Sequence, residues 1–159
     1  MALITDDVHY QPYIPCFSAR KTSTGWTTLS ASSTRVPIIL DNAYINRGSH
    51  YNTSNYRFTA PRPGLYQFNM VAYARLSGDY LDNDTDYYNF YLEKNGSGST
   101  TGAYSIAGYY NDGDYDMSTA MSTVMELASN DYVQCTISSA GVGVMYYGYH
   151  CRFSGFFIG

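Results

Sequence analysis

Apolar and polar residues alternate over many short runs of this chain and seldom hold a helical repeat. In GLYQFNMVAY, residues 64–73, Tyr66, Phe68, Met70 and Ala72 fall on one face, with Gln67 and Asn69 on the other. A period of two is that of a half-buried strand. DYVQCTI repeats the pattern, with Val133, Cys135 and Ile137 alternating against Tyr132, Gln134 and Thr136. NFYLEKNG sets Phe90 and Leu92 against Tyr91 and Glu93, then reaches Asn95-Gly96, the pair favoured in tight hairpin turns. Further strands are expected at Cys16 to Lys21, Val36 to Leu40, Tyr56 to Thr59, Ser122 to Leu127 and His150 to Ile158. Segments 77–88, 97–116 and 138–149, rich in Gly, Ser, Asp and Tyr, read as loops. Eight to ten strands in one unit fit an all-β, two-sheet jelly roll.

The length of 159 residues suits one domain with its own core. Aromatic residues make up 17%, 19 of them tyrosine, and charged residues only 14%, the reverse of a disordered chain. A net charge of −4 leaves no basic footprint for nucleic acid. No apolar run is long enough to insert into a membrane as a helix. The opening MALITDDVHY carries acids where a secretory signal needs basic residues. The expectation is that either a leader has been removed or the protein leaves its cell another way, for instance inside an assembled particle. Three cysteines, Cys16, Cys135 and Cys151, allow one internal bridge at most.

Candidate chemistry is sparse. DNDTDYYNFYLE, residues 82–93, has much of the acidic spacing of a helix–loop–helix calcium loop. Its sixth position is Tyr87, where that loop needs glycine, and Phe90 to Glu93 alternates as a strand. The aspartates Asp82, Asp84 and Asp86 remain candidate calcium ligands, because carboxylate oxygens suit that ion. A solvated acidic loop is the competing reading. His9, His50 and His150 have no metal-ligand spacing, and no nucleophile elbow, zinc-protease helix motif or phosphate loop occurs. The expectation is no catalytic residues and no enzyme. Tyr87, Tyr88, Tyr109, Tyr110, Tyr115, Tyr146, Tyr147 and Tyr149 lie in or beside the expected loops. Tyrosine gives a large, stiff contact surface at small entropic cost, so these eight are the candidate ligand-binding residues. Strand packing is the alternative use of the same side chains.

Several pieces, in order, resemble one family: FSAR (17–20), PIILDNAYINRGSHYNTSNYRFTAPRPGLYQF (37–68), LEKNG (92–96), STVMELASNDYVQC (122–135) and the closing FSGFFIG (153–159). The set is similar to the globular head domain of complement C1q, which shares its fold with tumour necrosis factor. The resemblance implies a ten-strand jelly roll, a compact homotrimer and a non-enzymatic recognition module. It implies that residues 16–159 form the domain and residues 1–15 an N-terminal attachment segment. It also implies pairing of the first and last strands, which would allow a Cys16–Cys151 bridge. No collagen stalk precedes the domain in this sequence. The expected setting is therefore a virion surface, as a bacteriophage fibre tip or decoration protein. Its base would dock on another virion protein, and its loops would contact a host-surface glycan or protein. The alternatives are a secreted ligand for a protein receptor and a purely structural trimer cap.

Overall fold

The structure is a computed structural model that describes residues 13–30, 35–77, 87–96, 104–108, 116–140, 144–147 and 149–159. Among these residues every regular element is a strand: β1 (Cys16–Arg20), β2 (Thr27–Ser30), β3 (Val36–Pro37), β4 (Asn42–Arg47), β5 (Tyr51–Asn52), β6 (Arg57–Thr59), β7 (Gly64–Ser77), β8 (Tyr87–Lys94), β9 (Tyr104–Gly108), β10 (Asp116–Leu127), β11 (Tyr132–Ala140), β12 (Val144–Tyr147) and β13 (Arg152–Phe157). One sheet has the order β2-β12-β7-β13-β1-β4, with β10 also paired to β7. The other runs β5-β6-β11-β8-β9, with β3 on β11. The long strand β7 organises the first sheet. β10 pairs along it from Gly64 to Arg75, while β13 and β12 pair with successive stretches, 66–71 and 74–77. This is the expected all-β jelly roll.

Alternation decides which side chains meet between the sheets. Tyr66, Phe68, Met70 and Ala72 of β7 are all at most 2% exposed, as the sequence pattern requires. Phe17 from β1 stacks on Tyr51 and Phe58, each at 4.9 Å, and meets Phe153 edge-on at 4.7 Å. Phe58 closes on Phe68 and Tyr66, both at 5.6 Å. Rings from both sheets thus form one cluster, and each well-oriented pair adds about 0.5–1.5 kcal/mol beyond its buried area. Gly155 lies in register between Phe17 and Phe68. A methyl group there would sit 2.6 Å from Phe68 Cδ1 and 2.9 Å from Phe17 Cε1, so the FSGFF segment needs glycine at its centre.

A second constraint joins three of the sequence pieces quoted above. Asn130 takes φ +71°, a left-handed conformation that Asn tolerates better than most residues. That turn brings Asp131 beside the end of β8. Its carboxylate accepts from Lys94 Nζ (2.8 Å), Asn95 Nδ2 (2.7 Å) and the Ala128 backbone N–H (2.7 Å). Backbone bonds of 2.8 Å tie Ala60 to Asn130 and to Asp131. The Lys94 and Asn95 donors hold the Asp131 carboxyl down at about 2.

The structure corrects several expectations. The segments read as loops contain β9 and β12 and the ends of β7, β8, β10 and β11. Asn95 and Gly96 do turn the chain left-handed, at φ +55° and +65°. However, Tyr91 pairs with Ser105 and Leu92 with Tyr104, so the β8–β9 connection is far longer than a two-residue hairpin. The Cys16–Cys151 bridge is absent, and all three thiols are free. β1 and β13 do pair, but Cys16 faces Phe156 while Cys151 precedes Arg152, which faces Arg20. Cys151 is thus five residues along the chain from the position opposite Cys16, about 16 Å, beyond the reach of a disulfide.

Two outcomes follow. Gly155→Ala overpacks the ring cluster and lowers unfolding free energy by about 1–3 kcal/mol, read from the urea midpoint. Asp131→Asn costs about 1 kcal/mol at neutral pH. A carboxyl lowered by folding contributes stability above its unfolded value, near pH 4, and loses it as pH falls toward 2. The gap in melting temperature between the parent and Asp131→Asn therefore narrows between pH 4 and pH 2. An unchanged gap at pH 2 would remove the carboxylate from this role.

Candidate functional site

The eight candidate tyrosines separate into distinct groups. Tyr109, Tyr110 and Tyr115 lie outside the described residues, as do Asp82, Asp84 and Asp86. Tyr87 sits on β8, and Tyr146 and Tyr147 on β12, with only their backbones described. Tyr88 is a correction to the expected loop site. Alternation along β8 turns Tyr88, Phe90 and Leu92 inward together, and Tyr88 is 2% exposed. Its ring meets Phe90 edge-on at 5.5 Å, and burial pushes its hydroxyl up to about 12. This ring serves the core and presents no contact surface.

Tyr149 is 41% exposed and belongs to a cluster that sequence reasoning did not assemble. Its ring lies 4.0 Å from that of His150. His150 packs edge-on against Tyr73 at 5.0 Å, and Tyr73 stacks with Trp26 at 5.3 Å. Trp26, the only tryptophan of the chain, is 38% exposed. Tyr73 stands toward the Ser77 end of β7, His150 and Tyr149 immediately precede β13, and Trp26 immediately precedes β2. Three separate segments thus build one partly exposed aromatic platform. Pro15 and the C-terminal Gly159 lie at the opposite end of β7, where Leu65 N–H donates to Gly159 O (2.7 Å) and Phe157 N–H to Pro15 O (3.0 Å). The signal for Trp26 was a lone large ring among Thr, Ser and Gly in a polar segment, where no core strand could claim it.

The outer face of the first sheet is a second surface with unusual composition. Strand register sets Cys16, Phe156, Gln67 and Val124 in one cross-strand row. The next row holds Ser18, Ser154, Asn69 and Ser122. Phe156 and Val124 are each 45% exposed, and Leu65, Val71 and Ile45 are similarly open. The polar members bond among themselves, Gln67 Nε2 to Ser122 Oγ (2.7 Å) and Ser122 Oγ to Asn69 Oδ1 (2.9 Å). Apolar side chains around a small polar row resemble a protein interface more than a solvated sheet face.

The chemistry of the other groups is quiet. Among the described residues no three His, Cys, Asp or Glu side chains gather where they could hold a metal ion. Burial raises the Cys135 and Cys151 thiols above their ordinary values, which keeps them protonated and poorly nucleophilic. Lys21 is buried and donates to Gly25 O at 2.5 Å, and burial lowers its ammonium.

Known proteins supply the frame for these surfaces. The globular domain of zebrafish complement 1qA protein superposes with a TM-score of 0.62 at 16% identity, covering 92% of this chain and 98% of that one. The structure of the Eiger tumour necrosis factor from S. frugiperda gives 0.60 at 10% identity, covering 92% and 93%. At such identities the likeness speaks for the fold alone. No curated protein matches the sequence. The model of the C1q domain family matches residues 17–158, nearly the whole chain, and the protein belongs to that family.

Proposed function

We propose that this chain is a trimeric, non-enzymatic recognition module that works outside the cell, its outer sheet face joining copies and its aromatic platform contacting ligand. Domains of this family are generally non-enzymatic, form homotrimers and bind ligands or receptors. The observation that carries the reading is the Trp26–Tyr73–His150–Tyr149 platform, exposed at the end of the sandwich away from Pro15 and Gly159. Flat aromatic faces with polar neighbours suit the apolar faces and hydroxyl rims of sugars, and equally the side chains of a protein receptor. The outer face of the first sheet supports self-association, because water leaves Phe156, Val124 and Leu65 exposed only at a cost.

On this reading the module sits on a virion, as a bacteriophage fibre tip or surface decoration. Residues 1–15 attach it to another virion protein, and the aromatic platform meets a host-surface glycan or protein. The tyrosine-rich, lysine-poor composition supports that setting. C1q domains are commonly extracellular, which supports the second reading, a secreted ligand for a protein receptor.

The lone tryptophan makes the ligand face testable. Trp26 emission shifts or is quenched when the protein meets its glycan or receptor ligand, and Trp26→Ala weakens binding to host cells by about tenfold or more. Binding that is fully retained in both Trp26→Ala and Tyr149→Ala would move recognition away from this platform.

A further inference from the structure

The outer face of the second sheet should be its wetted side, yet four of its polar side chains are buried. Glu93, Gln134, Thr136 and Ser138 are all at most 5% exposed. Two arginines lie over this face, one on Glu93 and one on Gln134. Arg35 pairs with Glu93 and lies over the Tyr91 ring at 3.8 Å. Arg57 lies over the Tyr132 ring at 4.1 Å and donates from Nε to Gln134 Oε1 at 3.3 Å. Gln134 in turn donates from Nε2 to Asn55 O at 2.6 Å. Between the arginines is an open groove of about 450 Å³, lined by Arg35, Pro37, Arg57, Glu93, Gln134 and Thr136. That volume falls in the range of small-molecule sites.

Two features of the groove lack a counterpart among the described residues. The Thr136 hydroxyl, 97% buried by residue exposure, has no hydrogen-bond partner among the described residues. A buried hydroxyl without a partner is costly, and native structures rarely keep one without a reason. Arg57 is the second. Arg35 is neutralised by Glu93, while no carboxylate of the described residues pairs with Arg57. Its Nε is engaged, and its terminal nitrogens have no partner among the described residues. The groove therefore offers a planar cation, a buried hydroxyl and the Glu93 carboxylate within one small concavity. Arg–carboxylate recognition is the strong, oriented use of such a guanidinium. The Thr136 hydroxyl and the Glu93 carboxylate suit ligand hydroxyls, which donate and accept at once.

We propose that this groove is a binding site for a carboxylate-bearing sugar, a hexuronic or sialic acid residue. Its carboxylate sits on Arg57, and its hydroxyls bond Thr136 and Glu93. The site is on the opposite sheet from the self-association face and is built from different residues than the aromatic platform. It extends the glycan form of the recognition reading without depending on that platform. An acidic peptide side chain could satisfy Arg57 alone but would leave Thr136 and Glu93 unmatched.

Amide chemical shifts of the full chain, titrated with free glucuronic acid and N-acetylneuraminic acid, test it. The expected result is saturable movement of Arg57, Gln134, Thr136 and Glu93 resonances by a sugar acid, with glucose and acetate far weaker. Thr136→Val keeps the side-chain shape and removes the unpartnered hydroxyl. It should melt no lower than the parent yet bind the sugar acid about fivefold or more weakly, the loss of one hydrogen bond. Arg57→Gln should lose about tenfold or more, the loss of a charge-assisted contact. Unmoved groove resonances, or equal binding of acetate or N-acetylglutamate methylamide, would overturn the proposal. So would full affinity in Thr136→Val. Because the readout is local and the probes are monosaccharides, ligand capture at the aromatic platform leaves these resonances in place. Failure of the groove is thus distinct from failure of the recognition reading.

Discussion

The distance between the two sheets is set by one cluster of rings, and that cluster closes because residue 155 carries no side chain. Phe17, Phe58, Phe68 and Phe153 come from four strands and both sheets, with centroids between 4.7 and 6.4 Å apart. A methyl group on residue 155 would sit inside van der Waals contact of two of them. Interiors at crystal-like density respond to such an intrusion by moving backbone, not by compressing. Movement at 155 would displace β13, which joins β1 to β7, and hence the whole outer face of the first sheet. The rigidity of the candidate self-association face thus begins at a glycine on the opposite side of the same strand.

The surface features follow from where this rigid core stops. At one end, Pro15, the C-terminal residues and the start of β7 are bonded to one another. Toward the other, Trp26 and Tyr149 lie outside any strand, partly exposed, with Trp26 stacked on Tyr73 and Tyr149 against His150. Asp131 fastens a separate corner, tying the β10–β11 turn to the end of β8 through Lys94 and Asn95. That corner borders the groove on the second sheet, since Glu93 precedes Lys94 and Tyr132 follows Asp131. The recognition surfaces proposed above are therefore carried on elements that the core and this corner hold in place. This is the arrangement binding sites need for preorganisation.

The sequence revealed the fold where alternation was clean and concealed it where residues were small or uniformly aromatic. Tyr66 to Ala72 announced both faces of β7, and the burial agrees residue by residue. β11 was legible only on its inner face. Gln134 and Thr136 look solvated in a one-dimensional pattern, yet both are buried, and Arg57, distant in sequence, bonds Gln134. β12, Val144–Tyr147, shows no alternation at all and was read as loop, although β-branched and aromatic residues favour strands. Tyr88 was misplaced for a related reason. A Tyr-Tyr pair at a loop edge does not reveal which ring turns inward until the register of Phe90 and Leu92 is extended backward. The platform could not have been found by spacing, since Trp26, Tyr73 and Tyr149 are brought together only by the pairing of β2, β12, β7 and β13.

The account depends most on the outer face of the first sheet being covered by further copies of the chain. Sedimentation equilibrium over a micromolar concentration range measures this directly. The parent protein is expected to run as one species of three times the 17.8 kDa chain mass. Val124→Asp, a charge placed in the centre of the apolar row, is expected to shift the mass toward a single folded chain. A parent protein that stays at one chain mass across that range would contradict the account.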